Sequence, residues 1–222
     1  MSNIAIVTSR MESSRLPGKA MLSFGGKPMF LYIIDRIYKY SKLIDKIVGC
    51  TTTTKINNII SDITYDNNYK CYREPPGYLI QKMLNIATIE GADTIVRITG
   101  DNPFTCPFVL DRLLQNLGDY DYIRMGGLPI GVTAEVFRTK TLLRVLERCY
   151  SNYDTSQQCS DAFTFFYTKN SNFNVKVLEM GNDFSNYSVT VDTLFDYVKA
   201  INIVNKLNID YTVEDLIEVL IS

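Results

Sequence analysis

Ile4-Ala5-Ile6-Val7-Thr8-Ser9-Arg10-Met11-Glu12-Ser13-Ser14-Arg15-Leu16-Pro17-Gly18-Lys19 is the stretch that decides the fold of this chain. Its apolar start reads as a first strand. Three cations (Arg10, Arg15 and Lys19), the hydroxyls of Ser13 and Ser14, and Gly18 then crowd into one loop at the strand's end. In an open α/β sheet, ligands bind outside the carboxyl ends of the strands. A loop there with spaced cations suits a polyanion such as a nucleoside triphosphate. Backbone N–H groups and hydroxyls cradle the phosphates while Arg and Lys neutralise them. A single Arg would read as part of a solvated basic loop; three cations with Pro-Gly punctuation directly after strand one favour a ligand.

The remaining composition narrows the chemistry. The chain has 222 residues, 46% of them apolar, which fits one domain with a sizeable core. Its net charge of -1 excludes bulk attraction to nucleic acid or membrane, so the basic loop is a local feature suited to a small anion. No apolar run reaches the ~18 residues of a membrane span. The N-terminus enters a strand at once, without the cationic and apolar regions of a signal peptide. Cys50, Cys71, Cys106, Cys149 and Cys159 are odd in number and form no C-x-x-C pair. They read as reduced, mostly buried thiols of a cytoplasmic protein. Histidine is absent, which removes Ser-His and Cys-His catalysis and every His-ligated metal site. A metal would need oxygen ligands, the chemistry of magnesium with carboxylates and phosphates.

Apolar runs alternate with amphipathic segments, the pattern of βαβ units and a mainly parallel sheet flanked by helices. Strands are expected at 3–8, 46–51, 69–73 and 94–98, with helices at 28–41, 55–62 and 77–90 between them. Pro28 suits a first helical turn and Gly91 a helix end. A short helix is expected after Pro107, a strand at 120–125 and another ending at Phe137. Strands are expected at 173–179 and 187–191, then helices at 194–207 and 213–220. The whole chain, 1–222, reads as one domain, with a dimerisation or acceptor-binding elaboration around 126–172. Within it, Phe163-Thr164-Phe165-Phe166-Tyr167 is either a dimer surface or plain core.

Two acids complete the pattern. In Arg97-Ile98-Thr99-Gly100-Asp101-Asn102-Pro103, Asp101 falls just past a strand end, and Gly100 allows close backbone approach to a ligand. Asp101 reads either as a divalent-cation ligand or as an Asx turn or helix cap before Pro103. In Val189-Thr190-Val191-Asp192-Thr193, Asp192 reads as a second ligand, as the cap of the helix near Leu194, or as both. Together with the basic loop these acids make a triphosphate-and-magnesium site chemically complete.

Arg10-x-x-Ser13-Ser14-Arg15-Leu16-Pro17-Gly18-Lys19, followed by Gly25-Gly26-Lys27-Pro28, resembles the signature of the sugar-acid cytidylyltransferases. These are the CMP-sugar synthetases, including CMP-3-deoxy-octulosonate synthetase and the spore coat polysaccharide biosynthesis protein F group. The Gly100-Asp101-Asn102-Pro103 run resembles their Gly-Asp-x-Pro motif, and Thr190-Val191-Asp192-Thr193 resembles their second metal-binding acid. Pro129-x-Gly131-x-x-x-Glu135-Val136-Phe137 resembles the spore coat group in particular. The motifs stand in the family's order over most of the chain. The resemblance implies a Rossmann-like nucleotidyltransferase fold, a homodimer, CTP as donor, Mg²⁺ as cofactor and a CMP-activated sugar acid for surface glycan synthesis. It implies that Arg10, Ser13, Ser14, Arg15 and Lys19 bind the triphosphate, and that Asp101 and Asp192 hold the metal. It also places Thr51 and Thr52, within Cys50-Thr51-Thr52-Thr53, at the base or sugar, with Gly100 beside the nucleotide. Lys82 and Glu135 are the acceptor-side candidates: Lys82 for an acceptor carboxylate, or simply a solvated helix face, and Glu135 for sugar hydroxyls.

The chain also departs from that pattern. Glu12 stands where the family has a small residue, and a carboxylate beside a triphosphate is unfavourable unless it turns to solvent or finds a partner. Gly77-Tyr78-Leu79-Ile80-Gln81-Lys82 and Ser160-Asp161-Ala162 replace charged family segments, so the acceptor side is altered more than the CTP side. Two rival readings stay open: transfer to a non-sugar or phosphorylated acceptor, and a catalytically silent nucleotide-binding partner. An NAD-binding reading is disfavoured, because no G-x-G-x-x-G follows strand one.

Overall fold

The computed structural model describes residues 1–151 and 172–222. The expectations for Phe163–Tyr167 and for Ser160-Asp161-Ala162 lie outside the described residues. Nine strands are described: β1 (Asn3–Thr8), β2 (Ser23–Phe24), β3 (Lys27–Pro28), β4 (Lys46–Thr52), β5 (Lys70–Glu74), β6 (Thr94–Thr99), β7 (Tyr122–Gly126), β8 (Glu135–Arg138) and β9 (Val175–Glu179). The helices are α1 (Met29–Tyr40), α2 (Asn58–Asp66), α3 (Leu79–Glu90), α4 (Pro107–Asn116), α5 (Thr139–Ser151), α6 (Leu194–Val204) and α7 (Val213–Ile221).

Seven strands form one sheet in the order β5-β4-β1-β6-β8-β7-β9. β1 runs parallel to both β4 and β6, and β4 parallel to β5. β8 is antiparallel to β6 and β7. The chain therefore winds outward from β1 through β4 to β5, then returns to lay β6 on the other side of β1. That reversal opens a crevice between the carboxyl ends of β1 and β6, the place where such sheets bind ligands.

The unbroken apolar run of β1 follows from burial on both faces. Ala5 and Val7 join the core beneath α1, α4, α6 and α7. Ile4 and Ile6 point the other way, into the core beneath α3 and α5. All four are fully buried, as the two-residue period of a strand requires. α3 ends where Gly91 takes a left-handed conformation, φ 64°, as its position suggested.

Two local expectations need correction, and one element was not expected. Residues 187–191 form no strand; the segment is extended and touches the sheet region through a single bridge, Ile130 to Ser188. The helix expected at 55–62 opens as a 3-10 turn at Lys55–Asn57 and continues as α2 to Asp66. Between β1 and α1, a small hairpin pairs Ser23 with Pro28 and Phe24 with Lys27. Its turn is Gly25-Gly26, both at positive φ, a pair that a two-residue hairpin favours.

Candidate active site

The floor of the site is set by how closely the ends of β1 and β6 approach. Gly100 N donates to Thr8 O at 2.7 Å. A Cβ on Gly100 would lie 2.7 Å from Ser9 Cβ and 2.9 Å from Thr8 O. The close approach that requires glycine here is to the neighbouring strand end, and Gly100 itself lines the cleft. Ser9 N in turn donates to Cys50 O at 3.0 Å, tying in the end of β4. Above this floor lies a cleft of about 370 Å³.

The loop after β1 forms one wall. It closes on itself through Gly18 N donating to Met11 O at 2.9 Å, with Gly18 at φ 74°. Arg10, Ser13, Ser14, Arg15 and Lys19 all line the cleft. Opposite stands the end of β4, where Cys50, Thr51 and Thr52 line the cleft and Thr53 does not. The Thr51 hydroxyl is buried and has no hydrogen-bond partner among the described residues. Burial pushes the Cys50 thiol up to about 12, so it is protonated at neutral pH and is no nucleophile.

The two acids converge from distant parts of the chain. Lys19 Nζ donates to Asp101 Oδ2, Asp192 Oδ1 and Val191 O, each at 2.9 Å. Arg15 Nη2 lies 2.8 Å from Asp192 Oδ1. Backbone bonds hold the segments in register: Val191 N donates to Asp101 O at 2.8 Å, and Thr190 Oγ1 to Asn102 Oδ1 at 2.9 Å. Gly131 leaves room for this seam, because a Cβ there would sit 2.8 Å from Thr190 Oγ1.

Neither acid is used as a cap. Thr193 caps α6, in a capping box with Asp196, and Asn102 makes the turn after β6 by donating to Thr99 Oγ1. Both carboxylates are left facing the cleft, Asp101 27% and Asp192 23% exposed. Two hard oxygen donors already gathered on one positive centre fit Mg²⁺, which takes one or two carboxylates and completes its shell with water and phosphate oxygens. No group of three or more carboxylate, thiol or imidazole ligands that could hold a metal occurs among the described residues; Asp101 and Asp192 are the acids that line the cleft.

The acceptor candidates separate. Lys82, on α3, lines the cleft. Glu135 does not: it sits opposite Arg97 in the β6–β8 register and pairs with the Arg97 guanidinium, while Tyr122 donates to its Oε1 at 2.9 Å. Glu135, the candidate for sugar hydroxyls, thus stands behind the cleft wall rather than on it. Its carboxylate is committed to Arg97, and Arg97 is the one that lines the cleft. Sequence reasoning gave Arg97 no role, although a lone cation inside the apolar run Ile95-Val96-Arg97-Ile98 was a visible signal. Glu12 also stays out of the cleft lining, bonded instead to Asn57.

Comparison with known proteins agrees with this geometry. A family model described as cytidylyltransferase matches residues 4–215. The spore coat polysaccharide biosynthesis protein SpsF of Bacillus subtilis is 27% identical over 207 residues, covering 88% of this chain and 84% of that protein. The structure of a cytidylyltransferase from Leptospira borgpetersenii serovar Hardjo-bovis superposes with a TM-score of 0.90 at 27% identity, over 99% of this chain and 94% of that one. CMP:2-keto-3-deoxy-manno-octonic acid synthetase, solved in complex with CTP, superposes with a TM-score of 0.71 over 92% of this chain and 99% of that one. At 14% identity it is a likeness of fold. The family match runs from the first strand into the last helix and takes in both acids and the basic loop, so the chain belongs to the cytidylyltransferase family.

Proposed function

We propose that the chain transfers CMP from CTP to a small anionic acceptor, a sugar acid by preference, and releases pyrophosphate. The observation that carries this reading is the convergence of Asp101, Asp192, Lys19 and Arg15 at the mouth of the β1–β6 crevice. The acceptor hydroxyl oxygen attacks the α-phosphorus of CTP, and the bond to the oxygen bridging the α- and β-phosphates breaks. Such transfers draw most of their rate from positioning and charge stabilisation.

Arg10, Ser13, Ser14 and Arg15 bind the triphosphate, and Lys19 stabilises charge as it moves onto pyrophosphate. Thr51, with its unpartnered hydroxyl, and Thr52 face the nucleoside. Asp101 and Asp192 hold the divalent cation, which when bound neutralises phosphate oxygens and lowers the cost of ionising the acceptor hydroxyl. Lys82 and Arg97, both on the cleft wall, meet the acceptor's negative charge, with Glu135 fixing the Arg97 guanidinium. With histidine absent and Cys50 protonated, the acceptor proton passes to water or to a cleft carboxylate. Similarity to the spore coat polysaccharide protein SpsF supports a role in glycan synthesis, and likeness to the octonic acid synthetase supports a sugar-acid acceptor.

The test is pyrophosphate release with each of the four NTPs and Mg²⁺ or Mn²⁺, against nonulosonic acids, octulosonic acids and phosphorylated polyols. Release with CTP and one acid is expected. Preference for another NTP overturns the donor assignment. Release only with a neutral acceptor overturns the roles of Lys82 and Arg97.

A further inference from the structure

Asn57 is fully buried and does not line the cleft, yet its side chain joins the two cleft walls. Its Oδ1 accepts from Met11 N at 2.8 Å, in the loop after β1. Its Nδ2 donates to both oxygens of Glu12, at 3.1 and 3.0 Å, and to Thr52 Oγ1 at 2.7 Å, at the end of β4. An amide offers one carbonyl and two N–H donors, and here all three are engaged. Thr52 Oγ1 passes the chain of bonds on to Thr54 Oγ1 at 3.0 Å. The amide is also unused where its position would suggest a use: Asn57 stands at the N-cap of α2, a favoured place for asparagine, but makes no side-chain cap.

Resting on the nucleotide-binding reading of the cleft, we infer that Asn57 is a positioning residue that fixes the triphosphate loop against the nucleoside wall and tethers the Glu12 carboxylate away from the triphosphate. Two physical effects follow. The gap between Ser13-Ser14-Arg15 and Thr51-Thr52 is set by one short side chain, so phosphate and nucleoside are measured against each other before CTP arrives. Preorganisation of this kind strengthens binding by removing an ordering cost. The Glu12 carboxylate is also disarmed: an amide N–H of Asn57 meets its charge and holds it out of the cleft lining. Freed, the same carboxylate would repel a triphosphate bound by its neighbours.

The test is a swap of the amide and the carboxylate, read as the Kd for CTP by calorimetry, with melting curves as a check on folding. Asn57→Asp keeps an acceptor for Met11 N. It loses both donors and sets two carboxylates face to face, and its Kd is expected to rise about tenfold or more. Glu12→Gln alone leaves the tether in place and is expected to stay within about twofold of wild type. The double variant Glu12→Gln with Asn57→Asp restores an amide–carboxylate pair with its polarity reversed, and its Kd is expected to return to within about threefold of wild type. A purely structural lesion at Asn57 would not be repaired by a change at Glu12. Wild-type binding with Asn57→Asp unchanged, or a double variant as weak as the single, overturns the inference alone. Wild-type protein with no affinity for CTP overturns the nucleotide reading and this inference with it.

Discussion

Lys19 has three ammonium hydrogens, and all three point at oxygens of the acid pair and its backbone. The carboxylates are thus held ready for a cation by a cation the chain supplies itself, without the repulsion that two bare acids would feel. Asp101→Asn tests the consequence. The amide keeps an oxygen for Lys19 Nζ and the same shape, so the melting temperature should stay within about 2 °C. CTP-dependent pyrophosphate release should fall by about a thousandfold or more, because the charge proposed to hold the metal is gone. A variant with near-normal turnover would remove Asp101 from the metal site. Gly100→Ala tests the floor rather than the charge. A methyl group 2.7 Å from Ser9 Cβ must push β1 and β6 apart at their ends. The expected loss is about 1–3 kcal/mol in urea unfolding, with a raised KM for CTP. An unchanged unfolding midpoint would show that the strand ends yield without cost.

At the scale of elements, sequence legibility followed how local the signal was. β1, β4, β5 and β6 lie within a residue or two of expectation because each is a short apolar run with a turn at its end. The segment 187–191 has the same β-rich composition but makes one isolated bridge, Ser188 to Ile130, in place of a ladder. Composition reports a taste for extension, not a partner. The role of Asp192 was ambiguous for a related reason: Asp192 and Thr193 are both good caps in sequence, and only the capping box of Thr193 with Asp196 releases Asp192 to the cleft. The Glu135–Arg97 pair and the Asn57–Glu12 tether were not legible, because they join residues 38 and 45 apart.

Another long-range contact bears on stability. Glu90 ends α3, where a negative charge opposes the helix dipole, yet it is buried against β4 and β5. Tyr72 and Lys46 donate to it and Lys70 adds its charge, and these hold its carboxyl at about 2 against an ordinary 4.5. A depressed carboxyl pKa contributes stability that is fully present above about 4.5 and lost as pH falls towards 2. With both lysines well exposed to solvent, about 1–3 kcal/mol is the expected share. Glu90→Gln should lose that amount in urea unfolding at pH 7 and should show a flatter fall in stability between about pH 4.5 and 2. Parallel acid profiles for the variant and the wild type would refute it.

For the whole molecule, the sheet and the charges act together. Reversal of winding at β1 brings the ends of four strands and one distant segment around a single crevice. Five cations and two acids line it (Arg10, Arg15, Lys19, Lys82 and Arg97 against Asp101 and Asp192) on a chain whose net charge is only -1. The cleft is therefore a net-positive spot on a near-neutral chain, which favours a compact anion there. A ligand that binds only this folded arrangement must raise the melting temperature by mass action. At a hundred times its Kd, CTP should add about 2.7 kcal/mol, a rise of about 5–10 °C for a chain of this size. Because several cleft cations are open to water, screening should weaken the effect. Raising ionic strength from about 0.05 to 0.5 M shortens the Debye length from about 14 to 4 Å, and the shift at fixed CTP should shrink accordingly. ATP shares the triphosphate but not the cytosine that Thr51 and Thr52 would face, so it should give a smaller rise with the same salt dependence. A CTP shift indifferent to salt would mean that the cleft cations are not what holds the phosphates. Equal shifts for CTP and ATP would strip the β4 wall of its part in choosing the base.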